Sequence, residues 1–209
     1  LKIIGVILPL PESMRKKIKR TLKFTKVVIY TETLIDFNEH LWTFFGSFVG
    51  IGLIGVLQHH YLPANDNLFL VGSFGASAVL IYGVVNSPLA QPRNLIGGHV
   101  ISAIVGVTVA QFIPIPWLGA ALAVSLSIVL MQVTRTLHPP GGATALIAII
   151  GSEKIKSLGY LYVLSPILSG VTILFFVALF FNNITSKRSY PKNKQWFKFW
   201  KRKYGSDRL

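Results

Sequence analysis

Cysteine is absent from this chain of 209 residues. That excludes a disulfide-stapled fold, a thiolate metal site and a cysteine nucleophile. Acidic residues are also scarce, seven Asp and Glu against 21 Lys and Arg. Between Leu41 and Phe181 the only carboxylates are Asp66 and Glu153, and both fall in stretches that read as connecting loops. An apolar interior without a carboxylate argues against an acid-based proton relay, a cation pump and a carboxylate-bound metal centre. There is no Ser–His–Asp constellation, P-loop or dinucleotide fingerprint. The expectation is therefore a protein that is not an enzyme, with no cofactor and no metal, and an interior suited to an anion.

What is present is apolar. Hydrophobic residues make up 52% of the chain and charged residues 13%, against about 25% charged in soluble domains; the mean hydropathy is +0.57. A net charge of +14 raises the question of nucleic acid. The basic residues, however, sit at the ends: eight precede residue 41, nine follow residue 181, and only Arg93, Arg135, Lys154 and Lys156 lie between. A nucleic-acid binder carries its charge on a folded face. Basic ends around an apolar body match the positive-inside rule and attraction to anionic lipid.

Three regions follow. Residues 1–40 form a basic N-terminal segment in which Ile18, Leu22 and Ile29 recur among lysines over 13–37, the pattern of a helix lying on a membrane or of a solvated basic helix. Residues 41–182 are a transmembrane domain, and 183–209 a basic cytoplasmic tail. Leu41–Leu62, Asn94–Ile113, Pro116–Leu137 and Tyr160–Phe181 are long enough to cross a bilayer; Leu68–Val85 and Gly141–Gly151 are short. The fold class expected is all-α, a polytopic membrane helical bundle of about six segments with two short or broken helices. Two basic ends on one side require an even number of crossings, which six spans satisfy, as do four with the short segments re-entrant. Stripes of small residues, Gly98, Ser102, Gly106, Ala110 and Gly119, Ala123, Ser127, read as helix-packing surfaces.

The most informative stretch is Arg135-Thr-Leu-His138-Pro-Pro-Gly141-Gly142-Ala143-Thr144. Prolines cannot continue a helix but suit the first turn of a new one. One helix should end near Leu137 and a short one begin near Pro140. Gly75-Ala76-Ser77 matches Gly142-Ala143-Thr144 at an offset of 67, and the same offset lays Gly52 on Gly119 and Ser102 on Ser169. Each unit would be full span, short segment, full span, so the two would be inverted repeats, a transporter architecture with substrate near the midplane. Helix starts near Phe74–Gly75 and Pro140–Gly142 would then converge, their free amides holding an anion.

The candidate substrate-binding residues are Gly75, Ala76, Ser77, Arg93, Arg135, His138, Gly141, Gly142, Ala143 and Thr144. Arg135 and His138 add charge or donors to this site, or else Arg135 snorkels to the cytoplasmic interface and His138 satisfies a broken helix end. Arg93, in Ser87-Pro-Leu-Ala-Gln-Pro-Arg93-Asn94, guards an inner mouth or anchors the positive side, and Asn94 is expected to cap the helix after it. Proton coupling, if present, would have to use His138 or His99.

These blocks, with Gly97-Gly98-His99 and His138-Pro139-Pro140 in order over roughly residues 38–182, resemble the HPP family of integral membrane proteins. That family is usually described with four spans, and a plastid member and cyanobacterial relatives are associated with nitrite transport. The resemblance implies a membrane transporter or channel for a small monovalent inorganic anion, nitrite first; a non-transporting membrane scaffold or sensor is the alternative. The expected partners are a small inorganic anion and the bilayer, with anionic lipids at the basic termini, and no nucleic acid; a homo-oligomer is compatible with this reading. The expected location is the cell membrane, multi-pass with both termini cytoplasmic, or the plastid inner envelope if the source is a plant.

Overall fold

The computed structural model describes residues 11–20, 37–61 and 72–192. The chain divides into residues 1–40 and 41–209. In the first unit residues 12–20 are helical and exposed, with Lys16 on Glu12 at 2.9 Å, an i,i+4 pair worth a few tenths of a kcal/mol. The rest of the expected interfacial helix, 21–36, lies outside the described residues.

Among the described residues every regular element is helical. Helix α1 is Phe37–Tyr61. Helix α2, Gly72–Ala78, continues into a π turn, Val79–Gly83. A 3-10 turn, Pro88–Ala90, leads to α3, Pro92–Phe112. Then come α4, Pro116–Val133, α5, Pro139–Ile150, and the short α6, Glu153–Ser157. A second π turn, Val163–Leu168, runs into α7, Ser169–Phe181. Helices α3, α4 and α5 each start on proline, whose fixed φ fits a first turn and whose missing N–H would have had no partner there.

Among the described residues four helical stretches are long and apolar enough to cross a membrane: Phe37–His60, Pro92–Phe112, Pro116–Val133 and Val163–Phe181. The apolar helices Gly72–Gly83 and Pro139–Ile150 are shorter. Their described residues, twelve in each, reach about 18 Å, little over half a hydrocarbon core of about 30 Å. The C-terminal end of the second, Ile150, lies 67 positions after that of the first, Gly83, the same offset as the sequence echo. Phe48, Phe112, Trp117, Val133, Phe176 and Phe180 point outward, an apolar surface that lipid covers.

Helix α3 packs along both α4 and α5, and the small-residue stripes make this approach. Gly98, Ser102 and Gly106 on α3, and Gly119, Ala123 and Ser127 on α4, are buried. A Cβ on Gly106 would lie 2.7 Å from the Ala145 carbonyl oxygen, so only glycine lets the two backbones come this close.

Two expectations need correcting. Helix α4 ends at Val133, not Leu137. Arg135 adopts φ +57°, Thr136 N–H donates to the Met131 carbonyl at 2.8 Å, and Arg135 N–H to that of Gln132 at 3.1 Å. This pairing is a Schellman cap, in which a left-handed residue ends the helix. The last span is not continuous: Ser165 is extended (φ −140°, ψ 121°) just before Pro166, which has no amide to donate and clashes with a preceding helical turn. The stretch from Asn182 on, whose later part reads from the sequence as a basic cytoplasmic tail, packs back onto the bundle as far as Lys192. Asn182 donates to the Ile81 carbonyl at 2.8 Å, Arg188 to that of Tyr82 at 3.1 Å, and the buried Tyr190 phenol to that of Ala90 at 2.9 Å. The π turn and the loop after it expose these carbonyls, and buried acceptors require donors.

Candidate functional site

The site is built around His99, in the middle of α3. A lone ionisable side chain within a membrane span faces protein or a polar path rather than lipid, and His99 is fully buried. Its two ring nitrogens meet hydroxyls from the two short helices: Nε2 lies 2.7 Å from Ser77 Oγ on α2, and Nδ1 2.7 Å from Thr144 Oγ1 on α5. Ser77 Oγ also lies 2.9 Å from His138 Nε2. His138 caps α5, and its Nδ1 lies 2.8 Å from the Leu89 carbonyl oxygen. The two rings are 5.0 Å apart between centroids. Ser77, His99, His138 and Thr144 are all inaccessible to solvent. Tyr162 closes one side, its phenol donating to the Thr144 carbonyl at 3.1 Å, and Phe74 sets its ring edge-on to His99 at 5.8 Å.

Chemistry fixes the direction of every bond when both rings are neutral. A carbonyl only accepts, so His138 carries its hydrogen on Nδ1 and its Nε2 is an acceptor. Ser77 therefore donates to His138 and accepts from His99 Nε2–H. His99 Nδ1 is then bare and accepts from Thr144. The result is one unbroken, unidirectional chain: Thr144 to His99 to Ser77 to His138 to the Leu89 carbonyl.

The turn holding His138 is tied down from the start of α3. Arg93 Nη2 donates to the Thr134 carbonyl at 2.7 Å, a cation at the C-terminal end of α4, and Asn94 Nδ2 to the Leu137 carbonyl at 2.7 Å. Asn94 thus does not cap its own helix as expected; Gln91 occupies that position. Gly98 is required here, because a Cβ on it would collide with His138 Cβ and lie 2.9 Å from the Thr136 carbonyl oxygen.

Of the candidate residues read from the sequence, Ser77, His138 and Thr144 come together in this chain. Gly75 and Ala76 are exposed on the outer face of α2, which is already helical at Gly72, so α5 meets the body of α2 and not a helix start near Gly75. Gly141 is packed; a Cβ there would lie 2.7 Å from Ser102 Oγ and 2.9 Å from the Gly98 carbonyl oxygen. Gly142 and Ala143 are half-buried. The expected amide cradle at the start of α5 is largely absent: Pro139 and Pro140 have no N–H, and Gly141 N–H donates to the His138 carbonyl at 2.8 Å. Arg93 and Arg135 are exposed, Arg93 in the tie above and Arg135 in the helix cap. Side chains, not peptide amides, form the polar centre.

Sequence reasoning left His99 out of the candidate site, although an ionisable residue inside a span is a signal for one. The Leu89 carbonyl and Tyr162 carried no signal at all. Ser73, one turn before Ser77 on the same face of α2, is buried, and its hydroxyl has no hydrogen-bond partner among the described residues. A cavity of ≈ 280 Å³ lies at the other end of α5, lined by Val107, Gln111, Pro114, Ile149 and Lys156 among others. It does not reach the histidines. Among the described residues no cluster of three or more His, Cys, Asp or Glu could hold a metal ion.

Half-length helices meeting at a buried polar centre define a polytopic membrane protein with broken helices. The chain matches the HPP transmembrane region over residues 32–191, and it belongs to that family. Two transmembrane proteins of Dictyostelium discoideum are similar to it: one is 49% identical over 166 residues, 75% of this chain and 56% of that protein; the other is 44% identical over 160 residues, 75% of this chain and 51% of that protein. The chain thus spans about half the length of these relatives. No solved structure matches it.

Proposed function

We propose that this protein moves a small monovalent inorganic anion across a membrane, with nitrite the first to test, and that it is not an enzyme. The observation that carries this reading is the hydroxyl–imidazole chain where the two half-length helices meet, in a core to which the four long spans contribute a single carboxylate, Glu39 in the first turn of α1. The Ser73 hydroxyl, buried one turn from Ser77 and without a partner among the described residues, supplies a donor of the kind an anion takes. A buried polar group without a partner costs about 1–3 kcal/mol, and an occupant relieves that cost. The arrangement described is closed; passage requires α2 and α5 to part, with the anion replacing one of the chain's own partners. Attraction by neutral hydroxyls and imidazoles is modest, which release requires. Both basic ends face the cytoplasm in this reading, held by anionic lipid.

The test is nitrite uptake by the purified chain in proteoliposomes, against protein-free vesicles. Uptake is expected, and His99→Ala should lower it by about tenfold or more, the worth of one or two buried hydrogen bonds. A protein that carries nitrite, nitrate and chloride no faster than empty vesicles is instead a scaffold or sensor acting through its basic ends.

A further inference from the structure

The hydrogen-bonded chain satisfies itself in two protonation states, and only two. In the neutral state every bond runs from Thr144 toward Leu89. Consider one proton added at Thr144 Oγ1. The Thr144 hydroxyl proton passes to His99 Nδ1, the His99 Nε2 proton to Ser77 Oγ, and the Ser77 proton to His138 Nε2. Each hydroxyl oxygen breaks one bond to hydrogen and forms another, His99 forms N–H at Nδ1 and breaks it at Nε2, and His138 forms N–H at Nε2 with none broken, so the positive charge ends on His138. His138 now donates from both nitrogens, to Ser77 and to the Leu89 carbonyl; Ser77 donates to His99 Nε2; and His99 Nδ1–H donates to Thr144. Thr144 needs a new acceptor for its own hydrogen, and the Pro140 carbonyl oxygen lies 3.5 Å from Oγ1. No heavy atom has to move.

A second proton does not fit. With both rings charged, Ser77 would receive two N–H donors and its own hydrogen would lose both acceptors. Two cations would also stand 5.0 Å apart between ring centroids in a dry interior, where like charges repel strongly.

The side-chain hydrogen bonds of Ser77, His99, His138 and Thr144 run to one another and to backbone carbonyls. The titratable group facing the chain, apart from the rings, is the Tyr162 phenol, already donating to the Thr144 carbonyl. Helix α2 presents Ser77 and Phe74, α4 presents Met131 to the adjoining glycines, and α5 presents Thr144. The spans Phe37–His60 and Pro92–Phe181 contain two carboxylates, Glu39 and Glu153, and neither belongs to this cluster. A lone positive charge at such a place is costly, and a mobile anion removes that cost.

We infer that the Thr144–His99–Ser77–His138 chain binds one proton, and one only, and that the anion crosses the protein together with that proton. The coupling half rests on the transport reading above; the proton site does not. The ligand class is thus a small anion of a weak acid accompanied by H⁺, and its transport is electroneutral.

Two measurements on the full chain test this and fail separately. The first is 15N NMR of histidine-labelled protein in nanodiscs, titrated between about pH 8 and 4, a window that spans ordinary histidine titration. Expected are two non-exchanging rings with opposite tautomers, Nδ1–H on His138 and Nε2–H on His99, that together take up one proton. Two protons on the pair, none at all, or the same tautomer in both rings overturns the site. The second is nitrite flux in proteoliposomes containing a pH dye, with a potassium diffusion potential imposed and the protein-free leak subtracted. Expected is one proton per nitrite and a rate indifferent to the potential. Uptake driven by an inside-positive potential without proton movement overturns the coupling and leaves transport standing. Absence of any anion flux overturns transport and coupling together, while the NMR decides the proton site by itself. Ser77→Ala keeps both rings and removes the bridge between them; proton-linked flux should fall about tenfold, the worth of a lost buried hydrogen bond, while the protein still extracts and elutes as the wild type. Retention of fully proton-linked flux in this variant overturns the relay.

Discussion

Ser77 and Thr144 hold opposite nitrogens of one imidazole ring, each at 2.7 Å from His99. They are also 67 positions apart, and so occupy equivalent places in the two short helices. The internal echo in the sequence thus has a physical counterpart: two half-length helices deliver matching hydroxyls to the two sides of a single residue on α3. Thr144→Val keeps the shape and removes the donor, leaving His99 Nδ1 buried and without its partner. We expect a loss of about 1–3 kcal/mol, read as a lower melting temperature in detergent, whereas Thr144→Ser should stay close to wild type.

The adjacent glycines of α5 should behave oppositely. A Cβ at Gly141 meets Ser102 Oγ, the Gly98 carbonyl and Met131 Sδ at 2.7, 2.9 and 3.0 Å, and the Gly98 carbonyl, being backbone, cannot move without shifting a packed helix. Gly142 has only Val124 Cγ1 at 3.9 Å. Gly141→Ala should lower thermal stability, and Gly142→Ala should raise it by roughly 0.5–1 kcal/mol, the ordinary gain of alanine over glycine in a helix. A stable Gly141→Ala protein would contradict the close approach of α5 to α3.

Arg135 and Arg93 separate in the same way. Arg135 is exposed and stands at φ +57°, where a side chain costs about 1 kcal/mol, so Arg135→Gly should keep or raise stability. Arg93 donates to the Thr134 carbonyl, so Arg93→Ala should weaken the turn that presents His138. Melting temperatures of the two variants side by side check both statements.

The docked segment after α7 gives a pH prediction. Burial pushes the Tyr190 phenol well above its ordinary range, so it stays protonated in the folded protein and keeps donating to Ala90. Unfolded tyrosine ionises near pH 10. The contribution of Tyr190 is therefore complete below about pH 10 and declines as pH rises past it. Protease protection of residues 183–192 should be flat from about pH 6 to 9, where the phenol is protonated in both states. Tyr190→Phe should be more readily clipped across that whole window; clipping unchanged by that substitution would separate the hydrogen bond from docking.

Much of the architecture was legible because hydropathy and proline act locally. The apolar segments, the two short ones among them, the break at His138-Pro139-Pro140 and the small-residue stripes all follow from residue type and spacing. Boundaries were less so. Nothing at Arg135 announces a left-handed residue, since that position usually takes glycine, and α4 therefore read four residues too long. Pro166 does announce a break, but inside a strongly apolar run the hydropathy outweighed it. The anion cradle at the start of α5 followed from the general behaviour of helix starts, yet the two prolines that make the start also remove its donors.

Composition and order alone determined that this is a membrane protein with basic ends, an interior poor in carboxylate and two interrupted helices, because each of those is a property of a stretch of chain against lipid or water. Only the tertiary structure decided which polar groups meet. Ser77, Leu89, His99, His138 and Thr144 come from five separate places in the chain, and a hydrogen bond depends on where a lone pair points in space, which no spacing along the chain encodes.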